Sequence, residues 1–160
     1  MSNAEQAEPN WSRRLVFSAV ALAVLFLAAL AASATIPRWW AQRIGEQVDG
    51  SIVTGTFVGL FYGFVFTLLP LLVLAAVLRW RRTWRALAIA LAVALLLALP
   101  NLLTLGIVVG RGNAAHAGDR ILDVEAPAFR GGTLVGALVA AAFVGLTYLV
   151  LSRGKSRATT

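Results

Sequence analysis

The sequence predicts an all-α integral membrane protein, a four-helix bundle with both termini in the cytoplasm, on three observations. Hydrophobic residues make up 59% of the 160-residue chain and charged residues only 13%, about half the ~25% of soluble domains. The apolar residues gather in four runs, 15–36, 52–78, 86–109 and 133–151, each near or above the ~20 residues that cross ~30 Å of hydrocarbon. No run contains a charged residue, as expected where an ionised group at mid-bilayer costs at least ~2.5 kcal/mol. The third observation is where the charges fall. Arg13 and Arg14, then Arg79, Arg81, Arg82 and Arg85, then Arg153, Lys155 and Arg157 flank alternate ends of the runs, whereas the other two connections balance their arginines with acids. The positive-inside bias therefore places residues 1–14 and the basic tail 152–160 in the cytoplasm, around a transmembrane domain of residues 15–151.

Residues 1–12 are polar and aperiodic, a short lead. Arg13-Arg14 followed by an apolar run ending Ala32-Ser33-Ala34 has the outline of a signal peptide. A signal core needs only about 7–15 apolar residues, so the longer run selects an uncleaved first span. After it, Pro37 starts and Gly50 stops a segment in which Trp40, Ile44 and Val48 recur every fourth residue. That pattern predicts a short amphipathic helix in the outer interface, with Trp39 and Trp40 at headgroup depth.

The second span carries the densest pattern in the chain. Gly55, Gly59, Gly63 and Thr67 fall on one side of a helix and Phe57, Phe61 and Phe64 roughly opposite. Because hydrocarbon supplies no hydrophobic force between helices, such a small-residue side is where backbones approach closely. Gly132-Thr-Leu-Val-Gly136 opens the fourth span and echoes Gly55-Thr-Phe-Val-Gly59, with Ala140 where Gly63 would stand. The second and fourth spans are thus expected to cross closely. Pro70 withholds a donor from the carbonyl of Phe66 and predicts a kink.

Arg79-Trp80-Arg81-Arg82-Thr83-Trp84-Arg85 interleaves basic and aromatic residues. Between two spans this is a turn that anchors to anionic headgroups, at roughly 1 kcal/mol per arginine, and not a nucleic-acid site. The third span alone carries a side-chain amide, Asn101, with Thr104 one turn on. Counted by helical rise from the outer ends, Tyr62 of the second span reaches the same level. A polar cluster of Tyr62, Asn101 and Thr104 is expected.

The connection 110–132 holds the only histidine. His116, Asp119, Asp123 and Glu125 together offer oxygen and nitrogen ligands, but no zinc spacing is present and Arg120 and Arg130 stand near to neutralise the acids. The expectation is a recognition loop, with Leu122 to Ala126 alternating like a short strand, and neither a metal nor another cofactor.

In Pro37-Arg-Trp-Trp40, Gly59-Leu-Phe-Tyr-Gly63 continuing to Pro70, and Asn113-Ala-Ala-His-Ala-Gly118, the chain resembles small four-span proteins of high-GC Gram-positive bacteria that are loosely labelled permeases. The resemblance covers most of the chain. It implies a multi-pass protein of a bacterial cytoplasmic membrane and brings no catalytic residues. The near-exclusive use of arginine over lysine and the abundant alanine agree with that source.

No membrane-embedded carboxylate is present to couple protons to export, and no span offers a Ser-His or Cys-His pair or a dicarboxylate, so an enzyme is not expected. Two roles remain. One is a non-catalytic accessory or assembly subunit that self-associates or joins another membrane or envelope protein, presenting its outer loops. The other is a small oligomeric permease or lipid-handling protein working past Tyr62, Asn101 and Thr104.

Overall fold

A computed structural model of the chain describes residues 11–80 and 83–156, without the side chains at 12 and 151–156. Arg81, Arg82, most of the N-terminal lead and the end of the basic tail lie outside the described residues. Five helices account for the described chain: α1 Trp11–Val48, α2 Ile52–Trp80, α3 Trp84–Val109, α4 Asn113–Glu125 and α5 Phe129–Ser156. All but α4 are long and apolar enough to cross a membrane.

Local chemistry sets the boundaries. Asp49 and Gly50 both adopt positive φ, 52° and 69°, ending α1; glycine takes this conformation freely, and aspartate is among the few other residues that tolerate it. Ser51 then accepts from the backbone N–H of Thr54 at 3.2 Å and opens α2. Thr83 does the same for α3, accepting from Ala86 at 3.4 Å.

Two expectations are corrected. The separate interfacial helix beginning at Pro37 does not exist, because α1 runs unbroken through Pro37 to Val48. Proline withholds one hydrogen bond, here to the carbonyl of Ser33, and the flanking turns hold through packing of the last third of α1 on α4. The strand expected at Leu122 to Ala126 is the last turn of α4. Strand alternation would place Leu122, Val124 and Ala126 on one face, yet Leu122 and Ala126 are 1% exposed and Val124 is 75% exposed. Burial at Ala115, Gly118 and Leu122 follows helical spacing instead.

α2 is the centre of the fold, packing on α5 along one side and on α3 along another. Its contact with α5 brings the two backbones together. A Cβ on Gly59 would lie 2.9 Å from the Thr133 nitrogen and 3.1 Å from the Gly132 Cα, and one on Gly136 would lie 2.8 Å from the Phe64 nitrogen. Because Gly55 meets Pro127, Gly59 meets Phe129 to Thr133 and Gly63 meets Thr133 to Ala137, the two helices run parallel. The matched motifs are therefore not level: Gly59, the second glycine of one, meets Gly132, the first of the other.

The core sits at the end of the bundle that carries α4. There Trp40, Ile44 and Val48 of α1, Ile107 of α3, Leu122 of α4 and Phe129 of α5 bury one another. α4 lies alongside the last third of α1, running the same way, with Gly118 beside the Pro37 carbonyl and Glu125 beside Gly45. The Glu125 carbonyl accepts from the Gly50 N–H at 2.8 Å and joins the two helix ends. The rest of α1 is different: across its most apolar stretch no residue is buried.

Candidate functional site: a cleft between α3 and α5

α3 and α5 each lean on α2 but make at most marginal contact with each other. The gap between them is a cleft of about 580 Å³, roofed by the end of α4. That volume lies within the ~300–1,000 Å³ of small-molecule sites. Its long walls are apolar, with Leu105 and Val108 on α3 and Leu134 and Ala137 on α5, while Thr67, Asn101, Thr104 and Thr133 supply polar atoms and Asp123 and Arg130 stand at the α4 end.

Asn101 organises the interior. Its Nδ2 donates to Thr67 Oγ1 at 2.9 Å and to the Gly63 carbonyl at 3.3 Å, tying α3 to the glycine side of α2. The Gly63 carbonyl can only accept, so it fixes the amide with nitrogen toward α2. The other end of the amide, Oδ1, is buried and has no hydrogen-bond partner among the described residues. A buried unpaired acceptor costs about 1–3 kcal/mol.

The cluster expected from Tyr62, Asn101 and Thr104 is not a cluster. The Tyr62 hydroxyl donates to Gln47 Oε1 at 3.2 Å, and its ring packs edge-on to Trp40 and Phe129 with centroids 5.9 Å away. Thr104 accepts from Trp40 Nε1 at 3.0 Å and donates to the Pro100 carbonyl at 3.0 Å. Helical rise set Asn101 level with Gly63, next to Tyr62, but not the way each side chain faces, and the indole of Trp40 claims the hydroxyl that Asn101 was expected to meet.

Of the paired tryptophans, Trp40 is buried and Trp39 exposed, their tilted rings 6.3 Å apart between centroids. On α4, Asp119 and Asp123 lie one turn apart and each takes one guanidinium nitrogen of Arg130 from α5. His116 and Glu125 are exposed and do not join them, and no group of three potential metal ligands occurs among the described residues. Arg79 and Arg85 are exposed at the far end of the bundle. Thr133, which the sequence reading passed over, is buried with its hydroxyl on the Phe129 carbonyl at 2.9 Å; its place within the Gly132 to Gly136 motif was the available signal.

Arg130 bridges α4 to α5 across the short link that contains Ala128, a non-glycine residue at φ 63°. Arg130→Ala leaves two like charges one turn apart on α4. The groups are a third to a half exposed, so solvent screening holds the expected loss to about 0.5–1 kcal/mol. Thermal unfolding in detergent should show it, and the difference from wild type should shrink in high salt.

A second hollow of about 560 Å³ lies between α1, α3 and α4, against Pro37, Gly106 and Ala115. It borders the same roof but contains no unpaired buried side-chain atom among the described residues. No family model, curated protein or solved structure matches the chain, so the reading of both hollows rests on their own geometry.

Proposed function

We propose that the chain is a non-catalytic accessory or assembly subunit of a bacterial cytoplasmic membrane, with both termini inside and α4 and the end of α1 outside. Basic residues gather at the far end of the bundle and balanced charges at the α4 end, which supports that orientation. Anionic headgroups would then meet Arg79, Arg81, Arg82 and Arg85. The carrying observation is the bare half of α1. The glycine sides of α2 and α5 are occupied by each other, so association through them is no longer the route. What remains for a companion is the membrane-length stretch of α1, where Leu22 and Leu25 are 67% and 65% exposed and no residue is buried by the other described residues. The companion is another membrane protein that contributes a helix there.

Purification from native membranes in mild detergent, followed by mass spectrometry, tests the reading. A stoichiometric companion is expected, and replacing residues 15–33 by an unrelated apolar helix should release it while thermal stability stays within about 0.5 kcal/mol of wild type, since no core residue changes. Recovery of the chain only with itself would overturn it.

The cleft favours a second reading, a small permease or lipid-handling protein. Asn101→Leu separates the two: a subunit keeps its companion, whereas a lipid-handling protein loses function with assembly intact.

A further inference from the structure

We infer that α1 and α4 form one rigid piece, hinged on α2, α3 and α5 about a line along α4, so that α1 moving sideways past α3 rolls the roof of the α3–α5 cleft. The device goes beyond the subunit reading and works without a companion. Contacts divide the bundle in this way: α2 packs on α3 and α5, and α1 packs chiefly on α4, with sparse contact between the two groups. Within each group backbones seat on backbones, Gly118 against the Pro37 carbonyl and Gly59 against Gly132. Between the groups the shared core is made by side chains, with Ile107 and Phe129 reaching in to Trp40, Ile44 and Leu122. Helices that meet through side chains can shear past one another, whereas seated backbones hold.

Three links fix the hinge line. The chain passes between the groups only at 49–51, 110–112 and 126–128, three residues each. The first link contains Asp49 and Gly50 at positive φ, the second two glycines, and the third Ala128 at positive φ. The bond from the Gly50 N–H to the Glu125 carbonyl holds the first and third links together at one end of α4, and the second lies at its other end. Along the 13 residues of α4 those ends stand about 20 Å apart. A piece joined only along one line is free to turn about it.

Two catches oppose the turn. Trp40 of α1 donates to Thr104 of α3, and Arg130 of α5 holds Asp119 and Asp123 on α4. The bond from Tyr62 to Gln47 lies beside the first link, where a turn displaces it least. Asp123 lines the cleft together with Leu122 and Ala126, while α1 and the start of α4 line the hollow beside Pro37 and Gly106. One turn therefore reshapes both hollows. Because α1 is a single unbroken helix, its bare half travels with the turn.

Pairs of spin labels test the hinge on the full-length protein in detergent, because the chain has no cysteine and a label goes only where one is introduced. Leu25→Cys on α1 and Ile89→Cys on α3 are exposed positions, each fifteen residues from the Trp40 to Thr104 bond and therefore at one level. At the ~8–10 Å spacing of packed helices, a turn of about 20° about α4 carries α1 about 3 Å sideways. Wild type is expected to give one narrow distance. Thr104→Val, which removes the acceptor of Trp40, and Arg130→Ala should each widen the distribution, and the double variant should shift its mean by about 3 Å. High salt should widen it further in Thr104→Val and add nothing in the double variant.

Two control pairs, also exposed, keep the result specific: Gln42 with His116 inside the α1–α4 piece, and Ile89 with Leu146 inside the α2–α3–α5 group. Both should hold their wild-type distances in every variant. An unchanged Leu25 to Ile89 distribution in the double variant would overturn the hinge. So would equal broadening of the first control pair, which means that α4 does not travel with α1, or of the second, which means general loosening. The measurement needs no companion, so this proposal and the subunit reading fail separately.

Discussion

Gly63→Leu is expected to prevent α2 and α5 from docking and to leave no cooperative thermal transition in detergent. The Cβ alone would fall 2.7 Å from the Thr133 carbonyl carbon and 2.9 Å from the Ala137 nitrogen. Both are backbone atoms of a regular helix, so neither can swing aside as the end of a flexible side chain would. Relief requires the helices to separate, which removes the contacts along the whole α2–α5 seam. Gly63→Ala adds only the Cβ and should cost about 1–3 kcal/mol, the range for overpacking a tight site. Gly145, where a Cβ meets nothing within 4 Å, is the control, and Gly145→Ala should leave stability unchanged or slightly raised through better helix propensity.

Trp40→Ala is expected to cost about 3 kcal/mol, the lower end of the range for deleting a buried aromatic. The indole is 8% exposed, fills the space among α1, α3 and the Tyr62 ring, and donates its N–H to Thr104. Trp40→Phe keeps most of the volume and should cost about 1 kcal/mol, a single hydrogen bond, since Thr104 still donates to the Pro100 carbonyl. Equilibrium unfolding in mixed micelles would resolve the two variants. Trp39→Ala, at an exposed neighbouring position, should change stability by less than about 0.5 kcal/mol.

The membrane-length helices and the meeting of glycines on α2 and α5 were legible because both follow from single-helix properties, apolar length and four-residue spacing. The course of α1 through Pro37 was not. A proline after an apolar run reads locally as a helix start, and only the packing of the final turns on α4, a segment some 80 residues later, outweighs the lost hydrogen bond. α4 itself was within reach: Ala115, Gly118 and Leu122 already have helical spacing, and the brief alternation from Leu122 to Ala126 misled because five residues fit both periods.

The cleft is the least legible feature. Asn101 stands out in any reading as the lone amide in a span, but its partners Thr67 and the Gly63 carbonyl depend on the rotation of α3 about its axis. So does the gap between α3 and α5, which no pattern within either helix encodes.

At 38 residues α1 is about 57 Å long, nearly twice the ~30 Å of a bilayer's hydrocarbon. Its final third is clamped into the core, and across its most apolar stretch no residue is buried by the other described residues. Of the four long helices α1 is thus the loose one: in a bilayer that thinned or thickened, α1 would be the helix to change its slope, while α2 keeps hold of α3 and α5.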